Sequence, residues 1–153
     1  MKQRLSLWLL INFQLLAITG CYFHRPMVYK PDIVLKKDGQ PCISIPMSET
    51  RFHGNRQFEI IMIEVVHEGI RPNWVKYYYN LPQKYYIQAQ ACLHFDYYFQ
   101  NNVFYTIDFV STVNGSKKVR NQEQKTWARE FRIKKDTDGT VKLLLDLDAR
   151  EDK

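Results

Sequence analysis

Glycine, histidine and cysteine are all scarce in this chain of 153 residues, and each shortage removes a class of chemistry. The six glycines never cluster, so they build no phosphate-cradling loop. The four histidines, His24, His53, His67 and His94, lack close metal-ligand spacing, and no cysteine pair stands two to four residues apart. No metal site is therefore expected. A Gly-x-Ser-x-Gly elbow is missing as well. His94 and Asp96, two apart with Cys92 nearby, are the nearest approach to a catalytic set, and such pairs arise by chance. The carboxylates are scattered through a mainly basic composition, which argues against paired-acid glycosidase chemistry. The inventory points to a protein that is not an enzyme and needs no cofactor.

Only one long apolar run is present, Leu5 to Ile18, preceded by Lys2 and Arg4. It is short for a bilayer span and has the length of the apolar region of an export signal. It ends in Ile18-Thr19-Gly20-Cys21, which resembles the lipobox of bacterial lipoproteins. That resemblance implies cleavage before Cys21, a signal peptide over 1–20, and lipidation of the Cys21 thiol. Each buried methylene adds about 0.8 kcal/mol of membrane affinity, so several acyl chains anchor stably. Tyr22 follows the cysteine where inner-membrane retention typically uses aspartate, which implies the periplasmic face of the outer membrane.

Loss of the leader leaves one domain's worth of chain and trims the formal net charge of +6 by two basic residues. The basic runs Lys117-Lys118-Val119-Arg120 and Arg132-Ile133-Lys134-Lys135 read as solvated surface, and no nucleic acid is expected as a partner. With Cys21 acylated, Cys42 and Cys92 remain in an oxidising compartment. They are expected to pair, the alternative being two separately buried thiols. Closing a loop of roughly fifty residues stabilises by about 4 kcal/mol in the chain-entropy account.

From Tyr22 to Pro31 the chain holds two prolines and no apolar period, as in a short tether over 21–31. A β domain over 32–153 follows. Strand-like runs cover Ile33 to Leu35, Cys42 to Ile45, Phe58 to Val66, Trp74 to Tyr79, Tyr85 to Gln88, Val103 to Val113, Thr126 to Ile133 and Val141 to Leu147. Turn signals separate them, among them Lys37-Asp38-Gly39-Gln40, Glu68-Gly69, Asn114-Gly115 and Asp138-Gly139. No run sustains a 3.6-residue period. These features predict an all-β, two-sheet antiparallel sandwich, immunoglobulin-like in outline, with a hairpin over Asp136 to Gly139.

Aromatic surface is what the chain has in abundance. Eight of its ten tyrosines lie between Tyr77 and Tyr105, many of them in NWVKYYYNLPQKYY and FDYYFQNNVFY. Because strand side chains alternate, Tyr78 cannot share a face with Tyr77 and Tyr79, and one set must meet solvent or a partner. Trp74, Tyr77, Tyr78, Tyr79, Tyr85 and Tyr86 are therefore the candidate partner-binding residues. The other reading is that these rings merely favour β structure and pack along the sheet.

The order of features, lipobox, proline-bearing tether, QPCISIP around Cys42, RPNWVKYYYNLP, and QACLHFDYYFQNNVFYTIDF around Cys92, resembles the type VI secretion immunity periplasmic lipoproteins of Gram-negative bacteria. The likeness covers roughly Met1 to Val113, and the Phe131 to Leu147 hairpin reads as an extension. It implies a lipid-anchored protein that binds and blocks a toxic effector. Other readings are an accessory or assembly lipoprotein of an envelope machine and a periplasmic hydrolase inhibitor. A mild positive charge beside a tyrosine-rich face suits an acidic cleft on the partner.

Overall fold

Two copies of one tight turn show how locally this sequence dictates its shape. In a computed structural model, described here over residues 27–50, 57–67, 72–79, 81–113 and 124–151, both Asp-Gly signals close hairpins in the same way. Lys36 donates its N–H to the Gln40 carbonyl at 2.9 Å and Asp136 donates to Thr140 at 2.9 Å. Gly39 and Gly139 take φ of 77° and 88°, the left-handed region that a Cβ disfavours. The carboxylates of Asp38 and Asp138 accept the N–H two residues on, at 2.9 and 2.8 Å. Those bonds to the charged form hold both carboxyls below their ordinary pKa.

The elements are β1 (Val28–Tyr29), β2 (Asp32–Leu35), β3 (Pro41–Ser44), a 3₁₀ turn (Met47–Thr50), β4 (Gln57–His67), β5 (Pro72–Tyr77), β6 (Tyr85–Gln88), β7 (Phe104–Val113), β8 (Gln124–Lys135), β9 (Val141–Leu145) and α1 (Leu147–Glu151). Seven strands form a large sheet, ordered β1-β8-β7-β4-β5, with β6 also on β4 and β9 also on β8. β2 and β3 form a separate two-stranded sheet. The fold is thus an all-β, two-sheet sandwich. Its pairings are antiparallel except β1 on β8, which is parallel.

The core lies between the two layers and follows the period-two pattern. Phe58, Ile60, Ile63 and Val65 of β4, Tyr105, Ile107 and Phe109 of β7, and Trp127, Phe131 and Ile133 of β8 all point inward and are buried. Ile33, Ile43 and Ile45 meet them from the small-sheet side, with Leu93 and Phe99. Trp127 stacks on Phe109 at 5.7 Å, and its indole N–H donates to the Ser111 hydroxyl at 2.8 Å, satisfying the polar end of a buried ring.

Residues 89–103 form an extended strap that completes the second layer without strand ladders. Gln90 and Leu93 donate to the carbonyls of Ile45 and Ile43 at 2.9 and 2.8 Å. Cys42 of β3 bridges to Cys92 of the strap, with Cα atoms 5.0 Å apart. The Gln40 amide plays the part of a missing strand, accepting from Phe99 N–H at 2.9 Å and donating to Phe99 O at 3.1 Å. The expected pairing of the two thiols is what the structure contains.

Several expectations need adjusting. The domain begins before residue 32: the end of the expected tether pairs with β8 through Val28 and Tyr29, because the Tyr29 ring packs 5.4 Å from Trp127 and under the Lys125 ammonium at 4.6 Å. The last predicted strand stops at Leu145, where Asp146 takes φ of 54° and the chain turns into α1. β5 ends at Tyr77 rather than Tyr79, and beyond it the Tyr78 N–H still donates to the Ile61 carbonyl at 2.8 Å, beside the β4 bulge between Ile60 and Met62. Cys21, the leader, His24, His53, the run at 117–120 and the turns at Glu68-Gly69 and Asn114-Gly115 lie outside the described residues.

Candidate functional site

The six aromatic residues expected to bind a partner divide into two groups of three. β5 carries Trp74 on the core side and Tyr77 on the outer side, since they stand opposite Val65 and Met62 of β4. The alternation continues past the strand end. Tyr78 turns inward and is only 6% exposed, while Tyr77 and Tyr79 turn outward at 54% and 55%. On β6, Tyr85 stands opposite the inward Ile60, and Tyr86, 37% exposed, stands opposite Glu59 on the outer side.

The inward three build structure. Trp74 packs 5.5 Å from Phe95 and 6.5 Å from Tyr97 of the strap. Tyr78 lies 4.9 Å from the Tyr85 ring, with the Lys76 ammonium 5.4 Å over its face. Burial, helped by Tyr85 and Asp96, pushes the Tyr78 phenol up to about 12. The Tyr85 hydroxyl accepts the His94 N–H at 2.6 Å, so this ring fixes the strap to β6. Tyr78 is therefore corrected from a contact residue to a core residue, and Trp74 and Tyr85 are half-buried against the strap.

The outward three remain available to a partner. Tyr77 and Tyr79 meet edge-on at 5.8 Å, each limiting the other's freedom. That prearrangement reduces the entropy lost on binding. Tyr86 shares the outer face with Tyr77 farther along β4. Sequence reasoning passed over Tyr98, which is 74% exposed on the strap. The alternation in FDYYF, with Phe95, Tyr97 and Phe99 packed inward, contained that signal.

Other expected residues are not brought into a reactive arrangement. Cys92 is held in the disulfide. His94 and Asp96 are exposed on the strap, and Asp96 faces the Lys76 ammonium at 3.8 Å. Among the described residues, no three His, Cys, Asp or Glu side chains converge as a metal site. Among those residues, too, no helix is long and apolar enough to cross a membrane.

A family model described as a domain of unknown function (DUF7480) matches residues 28–136. The matched span begins with β1 and runs to the end of β8, leaving β9 and α1 beyond it. It therefore takes in the strap, the disulfide and the outward tyrosines, and extends past Val113. No curated protein and no solved structure matches the chain. On this match the chain belongs to the DUF7480 family of domains of unknown function.

Proposed function

We propose that this chain is a lipid-anchored binding protein at the periplasmic face of the outer membrane, and that it protects the cell by binding and blocking a type VI secretion toxic effector. The observation that carries the binding role is the outward set Tyr77, Tyr79 and Tyr86, on and just past strands of the large sheet in a fold whose other layer is held by the Cys42–Cys92 bridge. Tyrosines give large contact area at low entropic cost, and a rigid scaffold keeps that cost low. A Cys42–Cys92 bridge suits an oxidising compartment. The lipobox-like Ile18-Thr19-Gly20-Cys21 supports the anchor. Blocking an effector requires occlusion, which needs shape and charge but no reactive group.

Mass spectrometry of the protein from its native host is expected to find a mature terminus at Cys21 carrying fatty acid; an intact leader or an unacylated terminus rejects the anchor. A deletion strain is expected to become sensitive to attack by type VI-armed neighbours. Wild-type protein should restore survival, and the Tyr77→Ala/Tyr79→Ala/Tyr86→Ala protein should not, although it folds. Defective envelope assembly with unchanged survival would replace the immunity role by an assembly role.

A further inference from the structure

In the middle of the large sheet's outer face the charged side chains are carboxylates, against the sign of the whole chain, while Arg132, Lys134 and Lys142 lie on the same face toward the β8–β9 edge. Direct cross-strand partners share a face. Met62 stands between Tyr77 and Val110, and Glu64 between Val75 and Asp108, so these six residues form two adjacent rows on the outer side. Tyr77 is exposed and the other five are half-buried.

Four carboxylates occupy this face among the described residues: Glu59, Glu64, Asp108 and Glu130. Two are neutralised within the chain, Glu59 by the Lys84 ammonium at 2.8 Å and Glu130 by the Arg150 guanidinium. Among the described residues, no cation forms an ion pair with Glu64 or Asp108. They stand directly opposite each other on β4 and β7, with Ala128 of β8 on the far side of Asp108. Cβ atoms in such positions are about 5 Å apart, and like charges there destabilise a sheet. Partial burial and the neighbouring Glu64 both raise the Asp108 pKa. The fold thus keeps a repulsion that one glutamine would remove, beside the apolar and aromatic row of Tyr77, Met62 and Val110.

We propose that this face, from Tyr77 across Met62 and Val110 to the Glu64–Asp108 pair, docks an arginine-bearing segment of a partner protein. The inference rests on the binding role proposed above and names the partner's chemistry. A guanidinium is planar and weakly hydrated, stacks on tyrosine, and donates to carboxylates through a fixed fork. The apolar rows would cover its aliphatic stem. The mild positive charge left after loss of the leader suited an acidic cleft on the partner, but net charge governs long-range approach, whereas contact is decided by the local charges.

The test titrates the purified full chain with a fluorescent hexa-arginine peptide and with a hexa-glutamate peptide at physiological salt. Saturable binding of the hexa-arginine probe is expected, weakened at least about ten-fold in E64Q/D108N, whose melting temperature is unchanged or raised. Equal hexa-arginine binding by wild type and E64Q/D108N overturns the inference, as does tighter binding of hexa-glutamate. In the survival assay, E64Q/D108N protein that protects as fully as wild type, while the triple tyrosine variant fails, would sink the arginine site and leave the binding role standing.

Discussion

The same three strands, β4, β7 and β8, show two different chemistries on their two faces. Inward, every position from Phe58 to Val65, Tyr105 to Phe109 and Trp127 to Ile133 that meets the small sheet is apolar or aromatic and buried, apart from Arg129. Arg129 sits where the layers part, donating to the Pro31 carbonyl at 2.9 Å and lying 3.3 Å from the Asp146 carboxylate. Outward, Glu59, Glu64, Asp108 and Glu130 alternate with Met62, Val110 and Ala128, all within one sheet. Apolar burial is therefore concentrated on one side, and the charged and exposed aromatic side chains lie on the other. That division makes the two sides separately testable by substitution.

The largest expected effect is on the inner side. Phe131 lies 5.2 Å from Phe99 and 5.5 Å from Tyr105, so Phe131→Ala opens a cavity lined by rings from both layers. Denaturant unfolding should show a loss of about 3–5 kcal/mol. Tyr77→Ala on the outer side should change stability by no more than about 0.5 kcal/mol. A large loss from Tyr77→Ala would break the comparison.

Next comes the staple of the strap. Removing the bridge by Cys42→Ala/Cys92→Ala should cost about 2–4 kcal/mol, because it closes a loop with a sequence separation of 50. The loss should appear as early hydrogen exchange in the strap, ahead of the large sheet. Gln40→Ala should cost less, about 1–2 kcal/mol, since it leaves both backbone groups of Phe99 without their side-chain partner. An unchanged melting profile in Gln40→Ala would mean that the strap is held by the bridge and the rings alone.

Much of this division was legible in the residues, though not the part on which the proposed docking face rests. Alternation in Phe58 to Val66 and Val103 to Val113 located the long strands and the inward set, and the Asp-Gly signals located the hairpin over Asp136 to Gly139 and the turn between β2 and β3. Alternation also separated Tyr78 from its neighbours, but it could not tell which set faced inward, since that depends on the strap covering Trp74 and Tyr78. β1 was missed because two residues carry no period, and its pairing depends on a ring contact with Trp127. The Glu64–Asp108 opposition was equally invisible. It depends on the β4–β7 register, which the bulge between Ile60 and Met62 shifts.

The smallest predicted effect addresses that opposition most directly. A carboxyl whose folded pKa is raised binds its proton more tightly in the folded state, so its penalty on stability is full at neutral pH. The penalty is relieved as pH falls through the raised value toward the ordinary 3.8 of an unfolded aspartate. Asp38 and Asp138, whose values are lowered, act in the opposite sense and lose their contribution as pH falls, so the wild-type profile alone mixes the two. The difference between wild type and Asp108→Asn isolates Asp108, whose value is raised first by its burial and then by Glu64, and repeating it in a Glu64→Gln background separates the pair from the burial. Asp108→Asn should be the more stable protein at neutral pH by ~0.2–1 kcal/mol, with the advantage vanishing below about pH 4. A constant advantage at every pH would show that the gain comes from something other than charge, and the repulsion argued for the outer face would be gone.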